Sequence, residues 1–251
     1  MARRLPKKRA DVLLFERGLA ESRERAQALI MEGLVFHPGG RVLKPGTLMS
    51  SDASMEVRDT LPYVSRGGLK LAHALDRFAL DVSGCTVLDV GASTGGFTDC
   101  MLQAGASKVY ALDVGYGQMD YRLRQDPRVV VKEKVNARHP FDLEDGEGRS
   151  AQVNLVTVDV SFISATKVIP EASRHLVPGG PIIVLLKPQF EALRNEVGRG
   201  GIIKDVKVHT LVLARFIQWV VQSGHRLRGL EPSPILGDKG NREFLLLLRK
   251  S

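Results

Sequence analysis

Val87-Leu88-Asp89-Val90-Gly91-Ala92-Ser93-Thr94-Gly95-Gly96-Phe97 is the stretch that decides how this chain folds. A short apolar run rich in β-branched residues leads straight into a turn of small residues. Phe97-Thr98-Asp99-Cys100-Met101-Leu102 then opens a helical pattern. Strand, glycine loop and helix start, in that order, let backbone approach a ligand closely. Further on, Val109-Tyr110-Ala111-Leu112-Asp113 is a second strand that ends in an acid. A carboxylate at that point accepts two hydroxyl hydrogen bonds and suits a ribose diol. The loop has neither the spaced glycines of a dinucleotide fingerprint nor the Gly-Lys-Ser/Thr of a phosphate loop. The expected ligand is therefore a nucleoside without pyrophosphate, and S-adenosylmethionine fits. Candidate cofactor contacts are Gly91, Ala92, Ser93, Thr94, Gly95, Gly96 and Phe97 of the loop and Asp113 of the second strand. A side chain at Gly95 is expected to collide with that ligand. The competing reading, a bare turn in an α/β protein, accounts for the glycines but not for the acid.

Outward from this unit, strand and helix patterns alternate, which argues for βαβ units and a mainly parallel, Rossmann-like sheet. Strands fit at 86–90, 108–113, 129–131, 153–159 and 181–187, with later ones at 225–231 and 243–249. Helices fit at 97–104, 163–176 and 205–223. Residues 142–148 read as a surface loop, and the glycine-rich stretch 194–201 as a candidate lid.

The chain has 251 residues and a formal net charge of +8, a basic balance unusual for an enzyme of small metabolites. It suggests a polyanionic partner. The two cysteines, Cys85 and Cys100, form no disulfide framework or metal spacing, so no metal is expected and both read as buried thiols in a reducing cytoplasm. The basic start of the chain is followed by no apolar core, which excludes a signal peptide. No apolar run approaches membrane-spanning length.

Residues 1–58 read as a separate α+β domain, 59–65 as a linker and 66–251 as the large domain. Asp11–Leu19 is a short amphipathic helix stopped by Gly18. Glu21–Gly33 is a second, with Ser22 as cap and Gly33 as stop. Val35-Phe36 and Arg41-Val42-Leu43 are short strands around Pro38-Gly39-Gly40. Residues 1–46 hold ten Lys or Arg against five Asp or Glu, so more than half of the net charge sits in under a fifth of the chain. The pattern Ser22-Arg23, Ile30, Gly33, Val35 and Gly39-Gly40 resembles the small RNA-binding domain of the ribosomal-protein S-four type. Candidate RNA contacts are Arg3, Arg4, Lys7, Lys8, Arg9, Arg23, Arg25 and Lys44. Arg23 and Arg25 stand about 200° apart on a helix, so both cannot fully face one ligand. A helical dimerisation cap with a solvated charged face is the competing reading.

In open parallel sheets, ligands bind beyond the carboxyl ends of the strands. Asp159 closes one strand and Lys187 another; Glu243 opens the last, which lies at the same edge if that strand is antiparallel. Lys70 sits on the helix after Gly67-Gly68. Two lysines and two acids near a methyl donor suggest ribose methylation, because a 2′-hydroxyl is a poor nucleophile and needs a base or a strongly orienting group. An amine takes that proton only in its neutral form, which burial or a neighbouring cation favours. Lys187, after five apolar residues, is the candidate base; Lys70 supplies a second cation and Asp159 orients the ammonium. Amino-group methylation of bases uses an Asn/Asp-Pro-Pro-Tyr/Phe motif where this chain has Asp159-Val160-Ser161-Phe162. Neither cysteine is placed for C5-methylation of pyrimidines.

Over nearly its full length the chain resembles the TlyA family, the haemolysin A-like rRNA ribose 2′-O-methyltransferases, which join an S-four-type domain to an FtsJ-type methyltransferase domain. The resemblance rests on Tyr63-Val64-Ser65-Arg66-Gly67-Gly68-Leu69-Lys70-Leu71, on Asp89 to Asp99, on Asp159-Val160-Ser161-Phe162-Ile163-Ser164 and on Leu186-Lys187-Pro188-Gln189-Phe190-Glu191. It implies that the FtsJ-type Lys-Asp-Lys-Glu tetrad is Lys70, Asp159, Lys187 and Glu243, and that Asn136 meets the cofactor base. It also implies ribosomal RNA or ribosomal subunits as partners, in the cytoplasm. A membrane-active haemolysin, and a catalytically silent RNA-binding or ribosome-assembly factor, are the alternatives.

Overall fold

The computed structural model describes residues 6–31, 34–57, 62–145, 148–237 and 240–250. Packing divides the chain into two compact units, Met1–Leu61 and Pro62–Ser251. Tyr63 and Val64 pack inside the second unit: the Val64 N–H donates to Asp99 at 2.8 Å.

The first unit begins with β1 (Lys7–Arg9), α1 (Ala10–Glu16) and α2 (Arg23–Met31). It continues with β2 (Val35–His37), β3 (Gly40–Arg41), β4 (Leu48–Ser50) and β5 (Glu56–Val57). Antiparallel pairing joins β1 to β4, and a small sheet runs β3-β2-β5. Leu13, Leu14, Ala26, Ile30, Val35 and Val42 form its core. The expected first helix ends earlier, at Glu16. Gly18 takes φ +68° there, and the Leu19 N–H reaches back to the Leu14 carbonyl, a left-handed C-terminal cap. Ser22 caps α2 through the Arg25 N–H at 3.0 Å. The expected strand at 41–43 is confined to Gly40–Arg41, because Val42 turns inward to the core. Strands β1, β4 and β5 are too short to show alternation and were invisible to periodicity.

The second unit opens with α3 (Gly67–Arg77), β6 (Thr86–Val90), α4 (Gly96–Gln103), β7 (Lys108–Leu112), α5 (Tyr121–Gln125) and β8 (Val129–Lys132). There follow β9 (Leu155–Val158), α6 (Ile169–Arg174), β10 (Pro181–Leu186), α7 (Pro188–Glu191), α8 (Val206–Gln222), β11 (His225–Pro232) and β12 (Phe244–Lys250). Among the described residues one seven-stranded sheet runs β11-β12-β10-β9-β6-β7-β8, parallel throughout except for β12. Strand side chains alternate between two cores, as burial on both faces requires. Leu88, Val90, Val156, Val158, Ile182 and Val184 meet α6 and α8 on one face. Val87, Val109, Leu155, Ile183, Leu185 and Leu245 meet α3 and α4 on the other.

One helix differs from expectation, and one expected lid is held by side-chain contacts. The helix expected over 163–176 is a 3-10 turn at Ala165–Lys167 followed by α6, because Pro170 has no N–H and forces a restart. The stretch 194–201, read as a lid, is tied down. Arg215 binds Glu196 at 2.6 and 3.0 Å, and Asn241 donates to the Gly201 carbonyl at 2.9 Å while accepting from the Ile203 N–H at 3.0 Å.

Candidate active site

β6 ends at Val90, and the chain must then turn within reach of β9. Gly91 does this at φ +88°, where a side-chain Cβ would collide with the Asp159 carbonyl oxygen. The N–H groups of Gly91 and Ala92 both go to the Leu112 carbonyl at the end of β7. Gly95, at φ +95°, ends the loop as the cap of α4. A Cβ at Gly95 would strike Leu123 and lie 2.9 Å from the Met119 sulfur, so the protein itself already excludes a side chain there. Thr94 is exposed, while Gly96 and Phe97 are buried in the first turn of α4.

The loop is braced from both sides. The Asp113 carboxylate accepts the Ser93 N–H at 2.8 Å through one oxygen and the Gly115 N–H at 2.7 Å through the other. Each oxygen keeps a further lone pair free to accept. Asp89, fully buried under the loop, accepts from Thr98 at 2.7 Å and Thr157 at 2.8 Å. Burial pushes its pKa up to about 6, with the charge of Asp159 adding to the rise and the two threonine hydroxyls opposing it. Asp113 and Asn136 line a cavity of about 300 Å³ that also touches Gly91, Ser93 and Asp159.

Asp159, Lys187 and Glu243 all fall at one sheet edge. Val158 is level with Val90 across the β6–β9 pair, and Leu186 is opposite Phe244 across the β10–β12 pair. Lys187 Nζ lies 2.6 Å from Asp159 Oδ1 and donates to Ser161 Oγ at 2.9 Å. Lys70, from the first turn of α3, lies 2.6 Å from Glu243 Oε2, and both side chains are almost entirely buried. The two lysine–carboxylate pairs line one cavity of about 540 Å³ together with Gly91, Ser93 and Thr94 of the loop. The structure thus brings Lys70, Asp159, Lys187, Glu243 and the glycine loop to one place, with Asp113 and Asn136 in the adjoining hollow.

Several residues lining or adjoining this cavity had no role in the sequence reading. Phe162 stands at φ +65° with its side chain 92% exposed, and its ring lies 5.2 Å from that of Phe190. A non-glycine residue in that conformation is a strained feature of a kind that clusters at sites. The Gln189 side-chain oxygen is buried and has no hydrogen-bond partner among the described residues. Glu191 accepts from Ser164 Oγ at 2.5 Å and from the Ala165 N–H at 2.7 Å, so it clasps the loop after β9 to the helix after β10. Their signal was adjacency to the strand ends, within the same two motifs that supplied Asp159 and Lys187.

Of the RNA contacts expected in the first unit, Arg3 and Arg4 lie outside the described residues. Arg9 and Arg23 are turned onto buried Asp11, at 2.9 and 3.3 Å. With Gln27, they hold its carboxyl well below the usual carboxylate range, against the opposing effect of burial. Lys8 pairs with Glu16 at 2.6 Å. Lys7, Arg25 and Lys44 are exposed.

Residues 63–250 match the family model of the FtsJ-like methyltransferase. The chain is 49% identical to a candidate rRNA methyltransferase, YqxC, of Bacillus subtilis, over 96% of this chain and 85% of that one. It is 41% identical to the 16S/23S rRNA (cytidine-2'-O)-methyltransferase TlyA of Mycobacterium tuberculosis, over 99% of this chain and 91% of that one. A solved structure of a candidate hemolysin from Streptococcus thermophilus superposes with a TM-score of 0.74 at 43% identity, covering 98% of this chain and 90% of that chain.

Proposed function

The chain belongs to the FtsJ-like methyltransferase family, and from that premise we propose that it methylates ribose 2′-hydroxyls of ribosomal RNA, with S-adenosylmethionine as donor. The observation that carries the reading is the pair of lysine–carboxylate contacts lining one cavity beside the glycine loop.

The residues present suit the donor. Asp113 has lone pairs left for a ribose diol, Asn136 lies in the same hollow, and the loop from Gly91 to Phe97 offers close-approach backbone. Bound there, S-adenosylmethionine supplies an electrophilic methyl group. The protein's part is to hold and deprotonate the acceptor. The Lys187 amine is placed to take the 2′-hydroxyl proton as the methyl group would leave the donor's sulfur, with Ser161 Oγ accepting from it and Asp159 supplying the counter-charge for the resulting ammonium. Lys70, fixed by Glu243, orients the hydroxyl oxygen from across the cavity. The exposed Phe162 ring offers a flat surface on which a nucleotide base can stack.

The first unit supplies RNA affinity through Lys7, Arg25 and Lys44, and the protein works in the cytoplasm beside its rRNA. The membrane-active reading draws on hemolysin names alone; among the described residues no helix is long and apolar enough to cross a membrane.

The test is transfer of tritium from methyl-labelled S-adenosylmethionine to purified rRNA and ribosomal subunits, followed by mapping of 2′-O-methyl positions. Label recovered as 2′-O-methylnucleoside is the expected result. Label on a base, or none on any RNA while red cells lyse, overturns it.

A further inference from the structure

The far edge of the large sheet carries a second concentration of positive charge. Arg226 and Arg228 lie on β11, an outermost strand of that sheet, and Arg249 and Lys250 on the adjacent β12. In the antiparallel register Arg226 stands directly opposite Arg249, and Arg228 is the extra residue of a bulge between Leu227 and Gly229. Together with Gly179 and Leu247 they line a depression of about 650 Å³ that shares no residue with the cavity of the two lysine–carboxylate pairs.

Like charges directly opposite each other in a sheet are destabilising. Among the described residues none of the four cations is in an ion pair. Arg249 donates to the Gly179 carbonyl at 3.1 Å, and Lys250 to the Ser173 and Leu176 carbonyls at 2.7 and 3.0 Å. Those contacts fix where the two heads sit and leave their charge uncompensated. Arg226 and Arg228 are exposed and have no polar partner among the described residues. Basic side chains on an edge strand also discourage pairing with another chain. Four cations around one hollow form a receptor for phosphate oxygens, which guanidinium forks engage two at a time.

We propose that this depression is a second RNA-binding surface, holding the phosphodiester backbone of the substrate away from the target nucleotide. The proposal rests on the rRNA reading given above. Glu243 and Arg249 are six residues apart along β12, so the depression lies about 20 Å from the methyl-transfer edge. An RNA of more than a few nucleotides can reach both places. The surface therefore acts on substrate affinity and leaves the chemical step alone.

The test uses the full chain with Arg226→Gln and Arg228→Gln combined, alongside a control in which both become Lys. Binding of purified rRNA is measured by filter retention across a salt series, cofactor binding by calorimetry, and methyl transfer at saturating rRNA. Each phosphate contact contributes roughly 0.7–0.9 to the log–log salt slope, so the Gln pair should flatten it by about 1.5 and raise the KM for rRNA. Its kcat and S-adenosylmethionine affinity should match wild type, and the Lys pair should keep the slope. An unchanged slope and KM in the Gln pair overturns the proposal while the rRNA reading stands. Wild-type protein that neither binds nor methylates rRNA overturns both. Loss of binding to phosphatidylglycerol vesicles with an intact rRNA slope makes the patch a lipid surface and also overturns it.

Discussion

At the residue scale the proposed chemistry turns on Lys187. Its Nζ is held by a carboxylate and a hydroxyl, an arrangement that positions an amine and stabilises it once protonated. General-base groups contribute about 10²- to 10⁴-fold, so Lys187→Ala should cut kcat by at least 100-fold, with rRNA and cofactor affinities kept. Lys187→Arg should not restore it, because a guanidinium stays protonated. Single-turnover kinetics measure both variants. A near-normal rate in the arginine variant means that positive charge and proximity carry the reaction. Asp89 provides a pH signature. Its folded pKa of about 6 is raised above the unfolded carboxylate value, so its contribution is fully present below about pH 4 and lost as pH rises through 6. Asp89→Asn cannot ionise, and Asn can still bond both threonines. The stability of the Asn variant relative to wild type should therefore climb by about 2–3 kcal/mol between pH 4 and 7. Urea midpoints across that range measure it; a flat difference means Asp89 ionises as freely as in the unfolded chain.

At the scale of elements, the site depends on how the segments after β9 and β10 are joined. Glu191, on α7, clasps Ser164 and the start of the 3-10 turn, and so fixes the loop that presents Asp159 and Ser161 to Lys187. Glu191 touches none of the reacting groups; it positions them. Glu191→Ala should lower kcat by about 10- to 100-fold, the effect of misplacing a catalytic group by about 1 Å. Cofactor affinity should change less, because the hollow proposed for the cofactor is braced by Asp113, which follows a different strand, β7. Glu191→Gln keeps one acceptor and should recover part of the loss. Equal losses in kcat and in cofactor affinity would show that the clasp supports the whole edge. At this scale periodicity was a good guide to long elements and a poor one to short ones. Strands β6, β7, β9 and β10 are apolar runs buried on both faces, so composition alone locates them. Helices α5 and α7 span five and four residues and have no period to detect.

At the scale of the whole molecule, charge is distributed unevenly and each part of it has a different use. In the first unit Arg9 and Arg23 serve the fold through Asp11, whereas Lys7 and Lys44 have no polar partner among the described residues and are open to a phosphate. Changing both Lys7 and Lys44 to Gln should weaken rRNA binding and flatten its salt slope by about 1.5, leaving the melting temperature unchanged. Arg23→Gln should instead lower the stability of the first unit, since it removes a partner from a buried carboxylate. Thermal melts beside the salt series separate the two effects. Thermal destabilisation by the lysine pair with an intact salt slope would reverse these assignments.

The glycine loop, the acid at the end of β7, the alternation of strands and helices, and the strand-end positions of Asp159 and Lys187 were all legible in the sequence. Each is local or periodic, and a backbone turn or a strand end constrains its own residues. The pairing of Asp159 with Lys187 was expected too, but most long-range pairing was not legible. Lys70 meets Glu243 across 173 residues only because β12 enters antiparallel beside β10 and brings its first residues to the catalytic edge. Glu191 meets Ser164 across 27 residues through the packing of α7 against the loop after β9, and Leu123 and Met119 set a steric limit at Gly95. Asp11 gathers three side chains from one strand and one helix, giving two of the expected RNA contacts, Arg9 and Arg23, a part in holding the fold. Such contacts belong to the tertiary structure because which charge meets which is set by sheet order and register, and those follow from burial summed over the whole molecule.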